Sequence, residues 1–78
     1  MNQYVTGAVI KELREKNNVT QLQLADKLGV SDKTISKWET GKGYPDITLL
    51  DPIANALSVS VAELISLPFY RQFNFSAE

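Results

Sequence analysis

Neither cysteine nor histidine occurs among the 78 residues. Their absence excludes disulfides, thiolate nucleophiles, imidazole acid–base chemistry and Cys/His zinc sites together. No apolar run approaches the roughly 20 residues needed to cross a bilayer, and the opening MNQYVTGAVI lacks a basic n-region. The expectation is a soluble, cytoplasmic, non-enzymatic chain with no metal, no cofactor and no membrane partner. There is also no internal repeat, low-complexity run or interior linker, so the chain reads as one small domain. A domain of this size buries only about 60 to 65% of its unfolded surface, which makes a partner chain an early expectation.

A net positive charge is lacking as well: the net charge is −1 and the pI about 5.3. The sum conceals an uneven placement. Residues 11–42 hold Lys11, Arg14, Lys16, Lys27, Lys33, Lys37 and Lys42 against Glu12, Glu15, Asp26, Asp32 and Glu39, a balance of plus two. From 43 onward Arg71 faces Asp46, Asp51, Glu63 and Glu78, a balance of minus three. Screening acts over about 8 Å at physiological salt, so an acidic end does not spoil a basic face elsewhere on the domain.

What is present is a succession of amphipathic segments of helical period, and the fold class is all-α. TGAVIKELREKNN predicts helix 1 over 7–17, with Thr6 as cap, Val9, Ile10 and Leu13 on one face, and a left-handed end at Asn17-Asn18. TQLQLADKLG predicts helix 2 from a Thr20/Gln23 capping box to Gly29. SDKTISKWETG predicts helix 3 from a Ser31 cap to Gly41. In PDITLLDPIANALS the spacing of Thr48 and Asp51 predicts a helix beginning at Thr48, which moves Pro52 from a costly interior position into the first turn. Ser60 and Glu63 predict a fifth, short helix ended by Pro68. The expected core is Ile10, Leu13, Leu24, Ala25, Leu28, Val30, Ile35, Trp38, Leu50, Ile53, Leu57, Val61 and Leu64.

Helices 2 and 3 meet the demands of a helix-turn-helix counted from Gln21. Leu24, Leu28, Val30, Ile35 and Trp38 fill the fourth, eighth, tenth, fifteenth and eighteenth places, where apolar residues are wanted. Ala25 is the small residue at the helix crossing, and Gly29 takes the left-handed turn that only glycine adopts without penalty. A wheel at 100° per residue sets Ile35 and Trp38 on one side of helix 3. Asp32, Lys33, Ser36 and Lys37 fall within about 140° of each other on the opposite side. That face suits the major groove, where lysine donates to guanine O6 and N7 and an acidic residue accepts from cytosine N4. A solvated surface of mixed charge is the competing reading. The N-termini of helices 2 and 3 suit phosphate, which makes Ser31 and Thr34 candidates, and the glycines flanking Lys42 would let its backbone approach another. Tyr44 either contacts a phosphate or packs under the loop. Trp38 belongs to the core rather than to base stacking, and TGKG fails as a phosphate-binding P-loop because Ser36 and Gly43 stand where that motif needs glycine and Ser/Thr.

From about residue 5 to 66 the chain resembles the Cro/cI-type (XRE family, phage repressor-like) helix-turn-helix proteins. The resemblance is carried by TQLQLADKLGVSDKTISKWETGKGYPDI and LSVSVAELI. It implies a five-helix, lambda-repressor-like DNA-binding domain over residues 1–66 that binds operator DNA, usually as a homodimer on inverted half-sites. It further implies base contacts at Asp32, Lys33 and Lys37 with Ser36 nearby, a phosphate contact at Gln21, and a salt bridge between Arg14 and Glu39. The segment 67–78 lies outside the resemblance. It concentrates four aromatics, Phe69, Tyr70, Phe73 and Phe75, which either form a dimer contact or fold back on the domain. The expected function is sequence-specific double-stranded DNA binding by a transcriptional regulator, a repressor. The reading from a different class is a protein-interaction module on the same fold, an antitoxin-like partner.

Overall fold

The computed structural model describes residues 7–66. Helix α1 runs Gly7–Lys16, α2 Gln21–Leu28 and α3 Asp32–Glu39; a 3-10 turn, Ile47–Leu49, leads into α4, Leu50–Ala56. A fifth helix, α5, occupies 61–66, and no strand occurs among the described residues. The all-α, five-helix expectation therefore holds. Thr6 and the four aromatics Phe69, Tyr70, Phe73 and Phe75 lie outside the described residues.

Side-chain caps spaced three residues apart set three of the helix starts. Thr20 Oγ1 accepts from the Gln23 N–H at 3.0 Å while Gln23 Oε1 accepts from the Thr20 N–H at 2.9 Å. Ser60 and Glu63 make the same reciprocal pair at 3.0 and 2.8 Å. At α3, Ser31 Oγ accepts from the Thr34 N–H at 3.2 Å. Each such cap contributes about 1 kcal/mol to a helix whose length alone would leave it marginal.

The helix ends share one device. Asn18, Gly29, Gly41 and Ser58 all have positive φ, at 57°, 72°, 78° and 63°. The residue after each returns its N–H to a carbonyl five residues back: Val19 to Arg14, Val30 to Ala25, Lys42 to Lys37 and Val59 to Ala54, at 2.8 to 3.0 Å. This left-handed termination satisfies carbonyls the helix leaves open and turns the chain sharply. Four short helices can consequently pack around one centre with connections of only a few residues.

The core is Val9, Ile10, Leu13, Leu24, Ala25, Ile35, Trp38, Leu50, Ile53, Ala54, Leu57 and Leu64. Three positions expected there, Leu28, Val30 and Val61, are half-buried at its margin. Val9, on the expected inward face of α1, and Ala54 are buried as well, although neither is in the expected core. The Thr48/Asp51 box does not form. Asp46 is the cap instead: its Oδ2 accepts from the Thr48 N–H at 3.2 Å and from the Thr48 hydroxyl, while α4 itself starts after Leu49 with no side-chain cap. The hydroxyl of Thr48 is thus committed to Asp46, two residues earlier, rather than to Asp51, three residues later. Pro52 still falls in the first turn of α4, where its missing N–H costs little.

Candidate nucleic-acid interface

Helix α3 is divided lengthwise. Ile35 and Trp38 are buried, and Asp32, Lys33 and Lys37 are exposed with Ser36 half-buried beside them. An eight-residue helix is about 12 Å long. Its buried face packs on α1 and α2, so the exposed face is held in a fixed orientation relative to the rest of the domain.

The other candidate residues gather at the two ends of α3. At its N-terminus Ser31 Oγ and Thr34 Oγ1 lie 3.1 Å apart, so both hydroxyls sit beside the open N–H groups of the first turn. At its C-terminus Thr40 Oγ1 donates to the Ser36 carbonyl at 2.8 Å, and the Lys42 N–H returns to the Lys37 carbonyl at 2.8 Å. That termination leaves the Lys42 side chain exposed just beyond the helix. Tyr44 follows and is 43% exposed.

Arg14 and Glu39 meet between α1 and α3. Arg14 Nε donates to Glu39 Oε2 at 2.7 Å and Nη2 to Oε1 at 3.0 Å, a bidentate pair. Nη1 donates to the Val19 carbonyl at 2.8 Å. The Arg14 side chain is 11% exposed and that of Glu39 only 3%. Hydrogen bonding to Glu39 pushes the pKa of the guanidinium above its already high ordinary value; burial opposes this, and the charges of Glu39 and Glu15 add to it. One guanidinium thus ties α1, the α1–α2 connection and the end of α3.

Gln21, the first residue of α2, joins this cluster: its Nε2 donates to Glu39 Oε1 at 2.9 Å. Nothing in the local sequence pattern signals that bond, which spans 18 positions. The role of Gly7 has no local signal either. A Cβ built on it would lie 1.8 Å from the Trp38 carbonyl oxygen and 2.8 Å from the Glu39 Cα, so the start of α1 rests directly on the backbone at the end of α3. Asn17 adds a further tie, its Nδ2 donating to the Leu13 carbonyl at 2.7 Å and the Leu57 carbonyl at 3.1 Å. Only a contact between distant segments could have revealed these roles.

Among the described residues no group of acidic side chains is arranged to hold a metal ion, and no helix is long and apolar enough to cross a membrane.

The helix-turn-helix family profile matches residues 10–64. The chain is 49% identical over 57 residues to the HTH-type transcriptional activator BcrR of Enterococcus faecalis, covering 73% of this chain and 28% of that protein. It is 43% identical over 51 residues to the cryptic phage CTXphi transcriptional repressor RstR of Vibrio cholerae, covering 65% of this chain and 46% of the repressor. The chain therefore spans less than half the length of these relatives. Among solved structures, the DNA-binding domain of the P22 C2 repressor matches with a TM-score of 0.72 and 33% identity, covering 82% of this chain and 84% of that domain. With the profile spanning both helices of the motif and the same arrangement of helices in the P22 domain, the chain belongs to the Cro/cI-type (XRE) helix-turn-helix family, with a lambda-repressor-like fold.

Proposed function

We propose that this domain binds double-stranded DNA sequence-specifically, as a homodimer on an inverted repeat, and acts as a transcriptional repressor. The observation that carries the reading is the division of α3, with Asp32, Lys33 and Lys37 exposed opposite the buried Ile35 and Trp38. In this reading Lys33 and Lys37 donate to guanines, Asp32 accepts from a cytosine N4, and Ser36 completes the face. The two groups at the ends of α3, Ser31 and Thr34 at one and Gln21, Lys42 and Tyr44 at the other, take the phosphates. The helix between them is about 12 Å long, a length on the scale of the major groove.

Electrostatics agree with this despite the overall negative charge. Lys33, Lys37 and Lys42 outnumber Asp32 locally, and charges further off are screened beyond about 8 Å. Dimerisation supplies what one module lacks: each good base contact discriminates by only about 1 to 3 kcal/mol. Two modules one helical turn apart, about 34 Å, combine their energies on a near-palindrome. The aromatics Phe69, Tyr70, Phe73 and Phe75 are the proposed dimer contact. Repression is the reading because occupancy of an operator requires nothing of the chain beyond DNA affinity.

Selection of bound sequences from random duplex DNA, followed by affinity measurements at several salt concentrations, tests this. A palindromic motif and a steep fall of affinity with salt are expected. Failure to enrich any motif at low salt sinks the reading in favour of a protein-interaction module.

A further inference from the structure

We propose that Glu39 is a positioning residue for DNA binding: it orients the Gln21 side-chain amide so that an N–H, and not the carbonyl oxygen, is presented to a phosphate. The inference rests on the DNA-binding reading above and deepens it at one contact.

The Glu39 carboxylate is an acceptor with no donor of its own. Its Oε2 receives Arg14 Nε at 2.7 Å, and its Oε1 receives both Arg14 Nη2 at 3.0 Å and Gln21 Nε2 at 2.9 Å. The two bonds from Arg14 fix the plane of the carboxylate, since a guanidinium fork allows little rotation. Gln21 must then turn its NH2 toward Oε1, because the flipped amide would set its oxygen against the oxygen of Glu39. An NH2 group carries two N–H donors, and the bond to Glu39 uses one. Among the described residues nothing else bonds the Gln21 side chain, which is half-buried while the Glu39 side chain is 3% exposed. The second N–H is therefore left without a protein partner among the described residues, at the first residue of α2.

An amide without this acceptor would sample both flip states and several rotamers, one of which turns a carbonyl oxygen toward the anion. Removing that freedom before binding increases affinity by between about two- and tenfold for one side chain. The ion pair Arg14–Glu39 thereby acts on DNA through Gln21 in addition to bracing α3 against α1.

The test is a double-mutant cycle read as affinity for a fluorescein-labelled non-specific duplex at low salt. Gln21→Met is made in the wild-type chain and in an Arg14→Met/Glu39→Met background. Replacing both members of a buried pair with apolar side chains of similar volume generally preserves folding, and circular dichroism verifies it. Gln21→Met is expected to weaken binding about tenfold in the wild-type chain, and by a factor about two- to tenfold smaller in the apolar background. Equal losses in the two backgrounds overturn the proposal. So does a wild-type chain that binds the duplex but loses nothing on Gln21→Met, an outcome that leaves the DNA-binding reading standing. A wild-type chain that binds no duplex overturns the reading itself. If the apolar background fails to fold, NMR of the wild-type chain decides: one Gln21 Nε2 proton should exchange slowly in the free protein, and the other should move downfield on adding duplex. Two Nε2 protons that both exchange fast in the free protein and do not move on adding duplex overturn the proposal.

Discussion

A methyl group on Gly7 would lie 1.8 Å from the carbonyl oxygen of Trp38. The obstacle is helix backbone, which has no rotamer with which to move aside, so Gly7→Ala must push α1 away from the end of α3. Overpacking of this kind costs about 1 to 3 kcal/mol, and the displacement falls on the helix that carries Lys33 and Lys37. Thermal unfolding should show a lowered midpoint of several degrees. An unchanged midpoint would mean the two helices do not meet as closely as described.

Arg14→Ala leaves the Glu39 carboxylate, 3% exposed, with only the Gln21 amide as a side-chain donor. Removing one member of a buried pair typically costs about 3 to 5 kcal/mol, a large share of the stability of a domain this small. Urea unfolding should report a loss of that order. Arg14→Lys should recover part of it, since an ammonium restores the charge but not the bidentate fork.

Substitutions on and beside α3 separate base reading from phosphate attraction. Lys37→Ala should relax preference at one base pair by about 1 to 3 kcal/mol, whereas Lys42→Ala should weaken all duplexes alike and reduce the salt slope by about one. Gln21→Ala should likewise weaken all duplexes alike, but it should leave the salt slope unchanged, since a neutral amide neutralises no phosphate. Asp32→Asn should alter the selected motif at a cytosine. It should also remove a favourable interaction with the α3 dipole of about 0.3 to 1 kcal/mol. A motif identical to that of the wild type would reduce Asp32 to its helix-end role.

Asp46 gives a pH signature. The Thr48 side-chain hydroxyl, and then the Thr48 backbone N–H, hold its carboxyl below the usual carboxylate range. A depressed pKa means that the folded state favours the ionised form. Its contribution is therefore complete above the ordinary aspartate value of about 3.9 and is lost as the pH falls through the lower folded value. In a carboxyl-detected NMR titration Asp46 should be among the last carboxylates to protonate. Thr48→Val should return it toward the ordinary range.

Much of the fold was legible because helix boundaries are governed by relations that reach three or four positions along the chain. The Thr20/Gln23 and Ser60/Glu63 boxes, the Ser31 cap and the left-handed residues at 18, 29 and 41 are all of this kind. The inward and outward faces of α3 follow from its period in the same way. Where two local rules competed, the pattern alone could not choose between them: Thr48 fits a box with Asp51 and also a cap with Asp46, and the second is realised. Asp46 caps the 3-10 turn that leads into α4, whose Leu50, Ile53 and Ala54 are buried in the core.

The sequence by itself therefore determined the helices, their order, the buried seam of the helix-turn-helix and the face of α3 turned to solvent, because each depends on residues a turn apart. Only the tertiary structure decided that Gly7 bears on Trp38, that Asn17 reaches Leu57, and that Gln21 donates to the carboxylate Arg14 holds. Those contacts join positions 18 to 40 residues apart. Their geometry is set by how the helices pack, and side-chain periodicity along any one helix carries no record of it.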